Sequence, residues 1–292
     1  MKLFRYGKPG KERTAVIYRS HSLDVSGFTE NYDEPFFEND GLVRLREYVK
    51  ANHSRLAPVS AGERLGCPIG RPSKIVCIGL NYADHARETN AQVPSEPVIF
   101  LKSTTAIIGP NDDVIIPKNS VKTDWEVELG VVICHRASYL NESEAVNCIA
   151  GYVLHNDISE REFQLERNGT WDKGKGCDTF APLGPYLVTT DEINDINNLR
   201  LHLHVNDQLM QNGTTSNLIF KIPYLISYVS QFMTLLPGDI ISTGTPAGVG
   251  LGMTPPVYLK PGDIMDLEIE GLGSQRQQVK AWGKNNLENY GS

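Results

Sequence analysis

Hydrophobic positions along the chain fall in short runs separated by dense turn signals, and few runs are long enough for a helix. Val98–Leu101, Val114–Ile116, Trp125–Ile133, Ile149–His155, Pro185–Val188, Leu199–Val205, Asp239–Ser242 and Ile264–Ile269 carry mostly apolar residues, with Val, Ile and Tyr dominating several. That pattern predicts strands. A helical period appears over Ile222–Met233, where Ile222, Leu225, Ile226, Val229, Phe232 and Met233 share a face and Pro223 sits in the tolerated first turn. Shorter helices are expected from Asn81, from Ser159 and from Asn141, whose Asn-Glu-Ser-Glu is an N-cap with an acidic first turn. The body is therefore α+β and β-rich, without regular βαβ alternation.

The first seventy residues differ. Two strand-like pieces, Lys2–Tyr6 and Thr14–Tyr18, lead through an acidic loop to a helical stretch at Leu42–Lys50 and then to a Gly- and Pro-rich segment, 62–72. We place a small N-terminal α/β domain at 1–71 and the main domain at 72–292.

Composition narrows the classes of function. A chain of 292 residues can bury a sizeable core without staples. Its net charge of −7 disfavours broad attraction to nucleic acid or an anionic membrane. No apolar run approaches the roughly 20 residues of a membrane span, and the charged N-terminus does not read as a signal peptide. The five cysteines, Cys67, Cys77, Cys134, Cys148 and Cys177, are odd in number and contain no Cys-x-x-Cys pair. That argues for a reducing compartment and a cytoplasmic protein, with Cys77 and Cys134 as buried thiols.

Candidate chemistry begins at Asp124-Trp125-Glu126-Val127-Glu128-Leu129. On a strand, Glu126 and Glu128 point to one face and the apolar residues to the other. Two adjacent carboxylates entering a core are resolved most simply by a divalent cation, although solvated charges on an edge strand fit the same spacing. Asp157, at the end of an apolar strand, serves equally as a turn residue or as a third oxygen ligand. Together the three make a hard, all-oxygen set that suits Mg²⁺ or Mn²⁺, with Ca²⁺ possible, over Zn²⁺. His85 and Glu88 sit at i and i+3 on a helix, a pairing suited to a general base but also the spacing of a surface salt bridge. Lys173 and Lys175 lie among glycines, where a cation can approach a ligand or remain solvated. The Ser242–Gly252 loop, with Gly244 and Thr245, could present backbone N–H groups to a carboxylate. It is neither a Walker A loop nor a dinucleotide fingerprint. His202 and His204 share a strand face with no third ligand near in sequence.

The segments GLNYADHARE (79–88), EPVIFLKSTTAIIGP (96–110), DWEVELGVVI (124–133), NDISEREFQ (156–164), KGKGCDTFAPLGP (173–185) and STGTPAGVG (242–250), in this order, resemble the fumarylacetoacetate hydrolase family. The opening MKLFRYG with GTWDKGKGCDTF and STGTPAGVGLGMTPP is similar to the bacterial 2,4-diketo-3-deoxy-L-rhamnonate and L-fuconate hydrolases, relatives often labelled ureidoglycolate lyase. The resemblance implies a mixed β-sandwich roll with a small N-terminal domain. It also implies a metal held by Glu126, Glu128 and Asp157, a water-activating pair of His85 and Glu88, and an active-site lysine at Lys175, with Lys173 outside the match. Arg161, Gln164, Thr179, Gly244 and Thr245 would border the substrate or the metal, and Asp84 corresponds to a further metal ligand in some members. Gly176-Cys177 departs from members with an aromatic residue before the Asp. The implied activity is hydrolytic C–C cleavage of a 2,4-dioxo acid to pyruvate and a small acid, by a homodimer acting on a small 2-oxo acid. The same machinery also serves oxaloacetate decarboxylation, 2-oxo-dienoate isomerisation, or binding of metal and oxo acid without turnover.

Overall fold

The computed structural model describes residues 1–88 and 92–283. Two β-sheets carry it. The larger has ten strands, running His21–Asp24, Arg13–Tyr18, Lys2–Tyr6, Leu187–Thr189, Ile149–Asn156, Val127–Ile133, Ile240–Ser242, Ile75–Gly79 and Val98–Lys102, with Leu65–Gly66 paired to Lys2–Tyr6. The smaller has five: Gln208–Thr214, Arg200–Val205, Ile264–Ile269, Gly273–Lys280 and Val114–Ile115. Most pairings are antiparallel, but Ile240–Ser242 runs parallel to Ile75–Gly79, so the sheet is mixed.

The central strands are apolar on both sides because both sides are covered. Every residue of Val127–Ile133 is buried, as is every residue of Ile75–Gly79. Polar residues join the two sheets: the Gln275 amide donates to Leu154 O at 2.9 Å, and Asn156 donates to the Gln277 side chain at 3.0 Å. Gln275 and Gln277 alternate inward from Gly273–Lys280, a strand too polar to be expected from its sequence.

Residues 1–71 join the same sheet. Lys2–Tyr6 pairs with Leu187–Thr189, and Leu3, Val16, Leu45 and Val49 belong to one buried core shared with the rest of the chain. The helix Gly41–Asn52 covers the expected one, and Asn141 forms the expected cap with a capping box onto Glu144.

Two helices differ from expectation. The helix expected from Ser159 starts later, as a π-helical turn at Glu162–Glu166: Ser159–Glu160 pairs with Thr123–Asp124, because the Glu160 carboxylate is drawn to Ser120 and Thr123 while Ser159 Oγ donates to Asp157 O. The helix from Ile222 ends at Ser230, so Phe232 falls outside the buried stripe and is 63% exposed. Among the described residues no helix is long and apolar enough to cross a membrane.

Candidate metal centre

The site is built where two antiparallel neighbours end. Glu126 stands just before the Val127–Ile133 strand, Glu128 lies on it, and Asp157 follows directly on Ile149–Asn156. The Asp157 N–H donates to Glu126 O at 2.9 Å, which fixes the two strand ends together. Strand alternation turns both glutamates to one face. All three carboxylates are buried, and one oxygen from each lies within 4.8 Å of the others.

Cations answer this charge. Lys175 Nζ lies 2.7 Å from Glu126 Oε2 and 2.9 Å from Asp157 Oδ2. Lys102 Nζ lies 2.6 Å from Asp157 Oδ1 and donates to the Ile158 and Lys175 carbonyls. Arg161 sits 2.7 Å from Glu126 Oε1 and 2.8 Å from Asp124. Burial opposes ionisation of Asp157, but Lys102 and Lys175 overcome it and hold the carboxyl well below its usual range. Glu126 is likewise lowered, against burial, by Lys175 and Arg161. Glu128 moves the other way: burial, with Asp157 and Glu126 beside it, raises its pKa well above the ordinary value. A divalent cation removes that repulsion, and three buried carboxylate oxygens are the donors a hard cation selects. The residues fit such an ion.

Glu128 is tethered from behind. Its Oε2 accepts from Ser242 Oγ at 2.5 Å and from the Gly244 N–H at 3.1 Å. Gly244 has φ of +99°, a conformation that favours glycine.

The expected helix over the site is short, Ala83–Glu88. His85 Nδ1 lies 3.4 Å from Glu88 Oε2, and both Glu88 oxygens accept from the Gly248 N–H, at 2.9 and 3.1 Å. His85, Glu126, Glu128 and Lys175 open onto one cavity of about 180 Å³, with Phe100, Trp171, Leu165 and Leu251 forming an apolar wall. A carboxylate-oriented imidazole therefore faces the acidic centre across a space sized for a small molecule.

Other sequence candidates are distributed unevenly. Arg161 and Gln164 line the cavity, but Gln164 Oε1 already accepts from Arg161 Nη1 at 3.0 Å. Thr245 also lines it, and its hydroxyl is shared between Val127 O and the Gln211 amide. Thr179 is not part of the cavity wall; its Oγ1 accepts from the Ile115 N–H at 2.9 Å. Lys173 is exposed and bonds to Arg167 O, and Asp84 accepts from the His85 N–H and Asn217 rather than joining the acidic group. His202 and His204 sit half-exposed on the smaller sheet. Sequence reasoning missed Lys102, Asp124, Ser242 and His155. Lys102 stood inside a quoted segment with no spacing that marked it, whereas Asp124 shares the two-residue period of Glu126 and Glu128, the signal that could have found it.

A buried acidic centre, a carboxylate-held imidazole and a mixed β-roll define an enzyme site. Residues 74–280 match the fumarylacetoacetate (FAA) hydrolase C-terminal family. The chain belongs to the fumarylacetoacetate hydrolase family. A 2,4-didehydro-3-deoxy-L-rhamnonate hydrolase from Sphingomonas sp. (strain SKA58) is 48% identical over 284 residues, covering 97% of each chain. The 5-carboxymethyl-2-hydroxymuconate delta-isomerase of Mycobacterium smegmatis superposes with a TM-score of 0.76 at 35% identity, over 97% of this chain and 100% of that one. A maleylpyruvate hydrolase from Sphingobium sp. SYK-6, solved with manganese(II) and pyruvate, gives 0.79 at 28% identity, with the same coverage. The chain is thus a hydrolase or isomerase of this family.

Proposed function

We propose that this chain is a Mg²⁺- or Mn²⁺-dependent hydrolase that cleaves the bond between C3 and C4 of a 2,4-dioxo acid, giving pyruvate and a small hydroxy acid. The observation that carries this reading is that His85, held by Glu88, opens onto the same cavity as Glu126 and Glu128, whose carboxylates group with that of Asp157. Glu126, Glu128 and Asp157 would hold the ion, which supplies Lewis acidity toward the oxygens of a 2-oxo acid. Glu88, itself fixed by the Gly248 N–H, orients the His85 imidazole to take a proton from water as that water adds to C4. The C3–C4 pair of electrons leaves on C3 as pyruvate enolate. Lys175 stabilises that developing charge from a buried position, where a cation acts strongly. Protonation at C3 then completes pyruvate. The relative named for 2,4-didehydro-3-deoxy-L-rhamnonate points to a sugar-acid substrate of this type. Decarboxylation needs no attacking water and leaves the held imidazole without a task, whereas isomerisation would use it to move a proton between carbons and is separated by the products.

The test is pyruvate release from 2,4-dioxo sugar acids, acylpyruvates and oxaloacetate, with Mg²⁺ and with EDTA, while CO₂ is followed. Metal-dependent pyruvate from a dioxo acid, matched by one equivalent of the second acid and no CO₂, is expected. CO₂ from oxaloacetate alone, or an isomerised product with no acid released, would overturn the reading.

A further inference from the structure

His155 is the one fully buried imidazole of the described residues, and the chemistry above does not use it. It lies opposite Glu128 on the neighbouring strand, while Ser242 lies on the strand at the other side, opposite Gly130. Cross-strand partners share a face. His155 Nδ1 is 2.7 Å from Ser242 Oγ, and Ser242 Oγ is 2.5 Å from Glu128 Oε2.

The hydrogens in this chain can be assigned. Ser242 has one hydroxyl hydrogen, and Glu128, ionised when it holds the ion, accepts it; the hydrogen between His155 and Ser242 then belongs to Nδ1. The remaining ring nitrogen, Nε2, is buried without a hydrogen-bond partner. With the ring proton on Nδ1, Nε2 is left as the ring's one acceptor. A neutral, singly protonated imidazole can donate to Ser242 in one direction only.

We infer that His155 is a positioning residue for the metal centre: through Ser242 it holds Glu128 Oε2 as an acceptor and leaves Oε1 to face the ion. This rests on the metal reading proposed above. Partners of this kind behind a ligating group set its orientation, and their loss typically weakens metal binding roughly 10–100-fold.

The experiment measures Mn²⁺ affinity of EDTA-stripped protein by the electron paramagnetic resonance signal of free Mn²⁺. Ser242→Ala and His155→Leu should weaken binding by about 10–100-fold. His155→Asn and His155→Gln separate hydrogen bonding from packing, because an Asn amide nitrogen stands near the Nδ1 position and a Gln amide nitrogen near Nε2. Asn should keep affinity within roughly threefold while Gln behaves as Leu. Thermal unfolding of the metal-free proteins accompanies each measurement, and a variant that does not fold leaves the Asn, Gln and Ala variants to decide. Equal Mn²⁺ binding by the unaltered protein and His155→Gln overturns this inference alone, as does equal weakening by Asn and Gln. Absence of Mn²⁺ binding by the unaltered protein overturns the metal reading itself.

Discussion

The Lys175 ammonium lies 2.7 Å from Glu126 Oε2 and is almost wholly buried with it. It therefore occupies the same negative field that would draw a divalent ion. Burial opposes its charge, but Asp157 and Glu126 prevail and raise its pKa. Lysine and ion share the carboxylates and repel one another. Lys175→Met should bind Mn²⁺ more tightly, by roughly tenfold or more, because a buried unit charge within a few ångströms is removed. Turnover should fall by about 10²–10³-fold through loss of a preorganised cation. The metal-free variant should be destabilised by about 3–5 kcal/mol, the cost of leaving buried carboxylates with one partner fewer. Titration calorimetry, steady-state kinetics and urea unfolding give the three values; weaker Mn²⁺ binding would mean that Lys175 supports the ion rather than competing with it.

Glu88 offers a probe of the imidazole that leaves both residues in place. A Cβ at Gly252 would lie 2.5 Å from Glu88 Cδ, and Gly252 is not among the residues of positive φ. Gly252→Ala should push the carboxylate from His85 with little cost to the fold and lower kcat by about tenfold. His85→Ala should lose about 10²–10⁴-fold, the range for a positioned acid–base group. Both should keep Mn²⁺ affinity. A His85→Ala enzyme with undiminished kcat would remove the imidazole from the chemistry.

The acid–base behaviour of the centre splits at Asp157 and Glu128. Asp157 is lowered in the fold, so its stabilisation is present above its ordinary value of 3.8 and is lost as pH falls through the still lower folded value. Glu128 is raised, so in metal-free protein its contribution is full below the ordinary 4.5 and is lost as pH rises toward the folded value. Metal-free protein should thus lose stability with rising pH above about 4.5, and Glu128→Gln should flatten that part of the profile. Only the ionised carboxylate is a ligand, so Mn²⁺ binding at a pH where the raised Glu128 carboxyl still holds its proton should release that proton. Calorimetry in buffers of different ionisation enthalpy reads this directly, and a binding enthalpy independent of buffer would contradict it.

The parts of this fold that show in the sequence are those whose burial is apolar. Val127–Ile133 and Ile149–Asn156 announce themselves as continuous apolar runs. Gln208–Thr214 and Gly273–Lys280 do not, because their inward positions are Gln211, Gln275 and Gln277. Those amides are buried to satisfy one another and carbonyls such as Leu154 O, Pro246 O and Pro110 O. A period-2 pattern whose inner face is polar looks solvated from both sides. The site divides in the same way. The spacing of Glu126 and Glu128 survives at the start of one strand, and that of His85 and Glu88 in one helix. Lys102 comes to Asp157 from 55 residues away, and its place at the end of Val-Ile-Phe-Leu-Lys reads as a lysine leaving the sheet. Ser242 and His155 are 87 residues apart and meet only through strand order.

The boundary drawn at residue 71 separates segments that share one sheet. Lys2–Tyr6 is the hydrogen-bonded neighbour of Leu187–Thr189, and the Met1 ammonium donates to Thr189 Oγ1 at 2.5 Å and to Glu192 at 2.9 Å. Removing residues 1–71 would uncover the edge at Leu187–Thr189 and withdraw Leu3, Val16, Leu45 and Val49 from the common core. Each such side chain contributes about 1.5–3 kcal/mol on burial, so four approach the roughly 5–15 kcal/mol that holds a whole domain folded. An unpaired apolar strand also invites association between chains. The 72–292 fragment should therefore aggregate or unfold without a cooperative transition, as judged by size-exclusion chromatography and thermal melting. A monodisperse fragment that melts cooperatively and still binds Mn²⁺ would instead make the first 71 residues an appendage, and the strand pairing at Leu187 an adornment of a core that closes without it.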